Sequence, residues 1–283
     1  MTDQPRFLPA SSFALDALAD IFTRSFAEYF YPGVTTAEVL ARRVRSENLD
    51  LRHSLVMLLG DEPAGQAMLG LRGARAWCGG FGVMLPFRGR GLAQPLAAAM
   101  LDQARQAGVR SFGLEVLTRN ERAIKTYMGI GLRTQRDMLI LEWRKSEGST
   151  TDDRRPTTDQ GAVVDAEPAR LLGHFAPLHV VPAAWQRDLP ALLVQAGLSG
   201  LAIESGGAVA AYALYQAGAD GSARIADMGA TQARQAQALL AALQGRFTRL
   251  VTVNEPADSP LIPAFEATGF VESDRQHEMS IAV

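Results

Sequence analysis

The chain has 283 residues, more than a typical single domain of roughly 100 to 200, and 47% of them are hydrophobic, enough for two packed cores. Thirty acidic against 28 basic side chains leave a net charge of −2, which speaks against a protein built to wrap nucleic acid or lie on an anionic membrane. One cysteine, Cys78, excludes any intrachain disulfide, and four histidines without close repeated spacing predict no metal. No stretch approaches the roughly 18 uninterrupted apolar residues of a membrane span, and the first residues lack a signal-peptide pattern, so a cytoplasmic protein is expected.

Phe13, Leu15, Leu18, Phe22 and Phe26 recur at helical spacing and predict an amphipathic helix. It ends in the aromatic loop Glu28-Tyr29-Phe30-Tyr31-Pro32-Gly33. Ser54 to Leu59 and Gly65 to Leu71 read as a hairpin about the turn Asp61-Glu62-Pro63, and Trp77 to Leu85 as the next strand. A helix over Leu92 to Ala107 stops at Gly108, a buried strand runs from Phe112 to Leu117, a helix from Asn120 to about Met128 ends near Gly129 and Gly131, and Met138 to Trp143 is a last strand. This alternation predicts α/β or α+β architecture with some parallel pairing.

Residues 145 to 161 carry almost no apolar side chains and read as a polar linker. Beyond it the same grammar returns in weaker form. Gly200 to Glu204 and Val209 to Tyr215 form a hairpin, followed by a strand from Ala223 to Met228 and a helix from Thr231 to Leu243. Arg249 to Val253, a helix near Leu261 to Ala267 and a strand from Glu278 to Val283 complete an internal duplication.

The stretch Val83-Met-Leu-Pro-Phe-Arg88-Gly89-Arg90-Gly91-Leu92-Ala93 places glycines and positive charge at a helix start. Helix N-termini carry unsatisfied N–H groups and roughly half a positive charge, so the natural guest is a phosphate-bearing ligand. A Rossmann dinucleotide loop is the competing cradle, but no G-x-G-x-x-G is present and the loop falls late in its domain.

Arg88 to Ala93 resembles the Gln/Arg-x-x-Gly-x-Gly/Ala signature of the GCN5-related N-acetyltransferases (GNAT). The likeness extends to Val83, which ends the preceding strand, and to Asn120-Glu-Arg-Ala123-Ile-Lys-Thr-Tyr127, which matches an Asn-x-x-Ala-x-x-x-Tyr segment; residues 10 to 144 follow the expected order. The resemblance implies that backbone N–H groups of Arg88, Gly89, Arg90, Gly91, Leu92 and Ala93 bind the pyrophosphate of acetyl-CoA, while strand backbone at Phe81, Gly82 and Val83 pairs with the pantetheine and polarises the thioester carbonyl. It also implies that Tyr127 protonates the departing thiolate and that Asn120 contacts the pantetheine or caps its helix. No motif fixes the general base; Glu115 is a candidate, with Glu28 and Tyr31 as others, and Glu28, Tyr29 and Tyr31 are candidates for the acceptor pocket.

The second half departs from the signature. Thr231-Gln232-Ala233-Arg234 stands where the cradle glycines belong, and Phe265, four residues before Gly269, stands where Tyr127 precedes Gly131. Phenylalanine has no proton to give.

The expectation is therefore two tandem GNAT folds, each a mixed, mostly antiparallel sheet flanked by helices. They comprise a catalytic domain at 1–144, a linker at 145–164 and a degenerate domain at 165–283. The expected activity is direct transfer of an acetyl group from acetyl-CoA to a primary amine of a small molecule or peptide, by a monomer or homodimer with no metal, nucleic acid or membrane partner. A non-catalytic acetyl-CoA or CoA sensor that contacts a protein partner is the alternative. His53, His174, His179 and His277 are assigned no role.

Overall fold

A computed structural model describes residues 4–146 and 162–283. Most of the expected linker, 147–161, lies outside the described residues. The chain divides into two compact units, Met1–Gln135 with His277–Val283, and Arg136–Gln276.

The first unit runs β1 (Arg6–Pro9), α1 (Leu15–Ser25), α2 (Ala37–Ser46), β2 (Leu55–Leu59), β3 (Glu62–Arg72), β4 (Arg75–Val83), α3 (Ala93–Gln106), β5 (Ser111–Leu117), α4 (Glu121–Gly129) and the start of β6 (Arg133–Arg144). β1 to β4 pair antiparallel in chain order, and β5 joins β4 in parallel. Gly60 and Gly73 take φ of 63° and 56° at the two hairpin turns, where L side chains are strained. α1 buries Leu18, Ala19, Ile21 and Phe22, and α3 buries Leu96, Ala97, Met100, Leu101 and Ala104, the stripes that helical periodicity dictates. Each large side chain so buried contributes about 1.5–3 kcal/mol.

The second unit runs β7 (Val163–Asp165), α5 (Pro168–Leu172), α6 (Phe175–Leu178), α7 (Leu189–Leu192), β8 (Ser199–Ser205), β9 (Ala208–Ala217), β10 (Ser222–Ala230), α8 (Ala233–Gln244), β11 (Arg249–Pro256), α9 (Ile262–Ala267) and the first half of β12 (Val271–Ala282). Its sheet is again antiparallel apart from one parallel pair, β10 with β11. A core around Leu239, Leu240, Leu243, Leu250 and Phe265 lies beneath α8 and α9.

Each unit is finished by the other half of the sequence. Residues 136–144 of β6 belong to the second unit, where Trp143 lies opposite Leu250 of β11. Residues 277–282 of β12 belong to the first, where Met279 and Ser280 flank Gly113 of β5 and the Val283 N–H donates to the Arg110 carbonyl at 3.1 Å. Spacing along the chain places the 138–143 strand with the first half; the apolar run Met138 to Leu141 marks a buried strand without encoding which sheet it joins.

Candidate active site

β4 and β5 pair only from Arg75↔Ser111 to Trp77↔Gly113 and then part. A bulge between Met68 and Leu69 of β3 leaves Gly79 as the extra residue on β4. Such an insertion shifts the alternation of side chains by one. Gly80 and Gly82 therefore face α1, where a Cβ would lie 2.6 Å from the Phe22 ring and 2.6 Å from the Ser25 carbonyl oxygen. Phe81 faces the other way and meets the Tyr127 ring edge-on at 5.5 Å. The glycines thus admit α1 onto the strand while Phe81 covers α4.

The parted strands open into a cleft of about 700 Å³, the size range of a cofactor site. Phe81, Gly82 and Val83 line one wall, Arg88, Gly89, Gly91, Leu92 and Ala93 the floor, and Arg119, Asn120, Arg122, Ala123 and Thr126 the opposite wall. Phe26, Glu28, Tyr29 and Phe30 border the mouth. Gly89 and Gly91 adopt φ of 76° and 75°, and a Cβ on either would meet nothing within 4 Å; conformation, not crowding, requires glycine there. The N–H groups of Gly89, Arg90, Gly91 and Leu92 donate to no backbone carbonyl among the described residues, so four donors remain at the head of α3 for an anion.

Residues 15–131 match the model of the acetyltransferase (GNAT) family. The fold is similar to that of a tandem GNAT protein from the clavulanic acid biosynthesis pathway, with a TM-score of 0.72, 15% identity, and 99% of this chain and 98% of that one covered. It also resembles a GCN5-related N-acetyltransferase from Sphaerobacter thermophilus (TM-score 0.69, 16% identity, 100% and 96% covered) and a putative acetyltransferase from Pyrococcus horikoshii (0.65, 15%, 99% and 89%). Residues 15–131 thus match the GNAT family in sequence, and the chain as a whole has the fold of tandem GNAT proteins. No curated protein sequence matches it significantly. The GNAT fold supports acyl transfer from acyl-CoA to amines and generally binds acetyl-CoA. No helix among the described residues is long and apolar enough to cross a membrane, and none of them form a group of three or more potential metal ligands.

Within the first unit Arg88 differs from its expected part. Its N–H donates to the Leu85 carbonyl at 3.3 Å, which leaves it outside the open donors of the cradle, because the short 3-10 turn Leu85–Phe87 claims it. Its guanidinium turns away to Val83, Ser25 and Ala27 carbonyls. The Arg90 guanidinium lies 5.4 Å from the Phe87 ring centroid. Asn120 caps its helix, its Oδ1 accepting from the Ala123 N–H at 3.3 Å, and it also lines the cleft.

Tyr127 and Glu115 do not line the cleft; they lie behind it on opposite faces. Burial first, then the nearby Cys78 and Tyr29, hold the Tyr127 hydroxyl well above the usual tyrosine range. Glu115 shares the Trp77 face of the sheet, where the Trp77 indole N–H donates to its carboxylate at 2.7 Å. Burial pushes its pKa up to about 7 despite that bond, with the negative charges of Glu278 and Glu47 adding to the rise. The Cys78 thiol, buried beside both, is raised to about 12 and stays protonated. Of the acceptor-loop candidates, Glu28 and Tyr29 border the cleft, while Tyr31 is exposed and stands 5.7 Å from Arg119, which also lies 4.4 Å over Phe30. Arg119 and Trp77 carried no signal in the sequence; one sits in a loop and the other reads as core.

The second unit repeats the parted strands. β10 and β11 pair from Ser222↔Arg249 to Ile225↔Thr252, a bulge follows at Ile225/Asp227, and the strands separate. Here the gap is filled. Arg187, from a 3-10 turn at Trp185–Arg187, places its guanidinium 2.5 Å from Glu255 and 3.6 Å from Asp227, all three buried. Asp227 also accepts from the Tyr212 hydroxyl at 2.7 Å and lies 3.1 Å from His179 Nε2. The cavity left is about 20 Å³, room for about one water. α8 begins at Ala233 behind Gln232, with no left-handed glycine before it.

Proposed function

We propose that the first unit is an acetyl-CoA-dependent N-acetyltransferase acting on a primary amine of a small molecule or peptide, and that the second is a GNAT-like unit without a working cofactor site. The observation that carries this reading is the open edge of β4 at Phe81 to Val83 beside the unengaged N–H groups of Gly89 to Leu92. A pantetheine arm laid along that edge puts its pyrophosphate at the cradle and its thioester near Phe81.

Direct transfer needs no acyl-enzyme. The neutral amine attacks the thioester carbonyl carbon, the C–N bond forms, and the oxyanion is stabilised by a fixed strand N–H in a site poor in water. Collapse breaks the C–S bond; the thiolate takes a proton relayed through water from Tyr127, and the ammonium proton is relayed likewise to Glu115, since both side chains lie behind the cleft. The opposite faces support this division: Glu115 shares the face of α1 and its aromatic loop, where the amine arrives, and Tyr127 the face of α4. A carboxylate near pH 7 is suited to accept the proton of an amine at neutral pH.

Calorimetric titration of the whole chain with acetyl-CoA tests both halves of the proposal. One site per chain is expected. Two sites overturn the reading of the second unit, and no binding up to millimolar ligand overturns the assignment.

A further inference from the structure

The side-chain hydrogen bonds of Arg88 all go to backbone carbonyls. Arg88 Nε donates to the Val83 carbonyl at 2.9 Å, and Nη2 donates to Ala27 at 2.7 Å and Ser25 at 3.3 Å. Val83 is the last residue of the strand that borders the cleft; Ser25 and Ala27 are the last turn of α1 and the start of the aromatic loop. Terminal helix carbonyls have no intrahelical partner and carry partial negative charge, so a guanidinium is their natural complement. The planar fork reaches the strand with Nε and the helix end with Nη2, a fixed spacing of donors that an ammonium lacks.

The loop held in this way needs holding. Glu28 has φ of 60°, strained for a residue with a side chain, and its carboxylate stands 3.9 Å from Arg88 Nη1. Gly82 permits the close approach of the Ser25 carbonyl to β4. With its N–H engaged by Leu85, Nε by Val83 and Nη2 by Ser25 and Ala27, the residue that opens the signature directs these donors to the strand end and the loop.

We propose that Arg88 is a positioning residue that sets residues 25–31, the acceptor loop, against the end of β4 and so governs which amine reaches the thioester. The inference rests on the acetyltransferase reading for its substrate half only. The test compares the wild-type chain with Arg88→Ala and Arg88→Lys. Amide hydrogen exchange without ligand should quicken roughly tenfold over 25–31 in Arg88→Ala, with α3 unchanged, and Arg88→Lys should fall between. Against the best substrate of an amine panel, KM for the amine should rise roughly tenfold with kcat and the acetyl-CoA affinity held within about threefold. Unchanged exchange over 25–31 overturns the proposal. Acetyl-CoA affinity falling in step with the amine KM also overturns it, since Arg88 is then a cofactor contact. If the wild type acetylates no amine, the functional reading fails by itself, while the exchange comparison still decides whether Arg88 holds the loop.

Discussion

The indole N–H of Trp77, the last residue of β4 paired with β5, donates at 2.7 Å to the carboxylate of Glu115, two residues beyond Trp77's partner Gly113. This bond lowers a pKa that burial has raised to about 7, so its loss should raise it further. In the proposed reaction Glu115 must be ionised, and Trp77→Phe should move the acidic limb of the kcat/KM profile to higher pH, while Glu115→Gln abolishes that limb. A limb that stays in place in both variants removes Glu115 from the mechanism.

The same shift has a sign in stability. The folded state holds the Glu115 proton to higher pH than the unfolded chain, so stability falls as pH rises from about 4.5 to 7, by on the order of 3 kcal/mol in all. Glu115→Gln keeps an acceptor for Trp77 and no charge. Its urea midpoint should exceed that of the wild type at pH 8 and the difference should vanish at pH 4. Equal midpoints at pH 8 would mean that the buried carboxylate is not strained by its site.

Tyr127 packs edge-on against Phe81, and phenylalanine retains that contact. Tyr127→Phe should lower kcat at least roughly tenfold and leave acetyl-CoA affinity nearly unchanged, the mark of an interaction made only in the transition state. Steady-state kinetics beside calorimetry separates the two quantities. Undiminished turnover refutes the role of general acid.

The cradle is tested at Gly91. A Cβ there has room but must adopt φ near 75°, at a cost of about 1–2 kcal/mol. Gly91→Ala should therefore weaken acetyl-CoA binding modestly, and Gly91→Glu, which adds negative charge beside the pyrophosphate, should abolish it. Binding that survives in Gly91→Glu locates the ligand elsewhere.

The strand and helix pattern of both halves was legible because amphipathic periodicity and turn glycines are local properties; α3, from Ala93 to its stop at Gly108, is the clear case. The cleft was legible where a residue type is itself the function, as with Gly89 and Gly91. Arg88 was not, since nothing in its neighbours says that Leu85 takes its N–H or that Ser25 and Ala27 take its side chain. The exchange of strands between units was hidden for a related reason: 136–144 and 277–282 are both suitable partners for a strand, and pairing is decided in three dimensions. Arg187 lay in a segment of short turns with no periodicity to read.

Arg187 is the counter-charge of two buried carboxylates. Its removal leaves Asp227 and Glu255 buried without their counter-charge, so Arg187→Met should destabilise the chain by about 3–5 kcal/mol. His179 belongs to the same cluster. Burial alone would lower its pKa, but the bond to Asp227, that residue's charge and the Phe175 carbonyl raise it above the ordinary value of 6.5. Both ring nitrogens face acceptors, Nδ1 the Phe175 carbonyl at 2.8 Å and Nε2 the carboxylate, so the imidazolium fits the site. The stability it contributes is full below its unfolded pKa and is lost as pH rises through the higher folded one. Denaturant midpoints taken between about pH 6 and 9 should fall in the wild type and fall less in His179→Gln, a window set by the ordinary histidine pKa and its upward shift. Parallel curves for the two proteins would show that His179 is neutral in the folded chain and that Arg187 alone balances the two carboxylates.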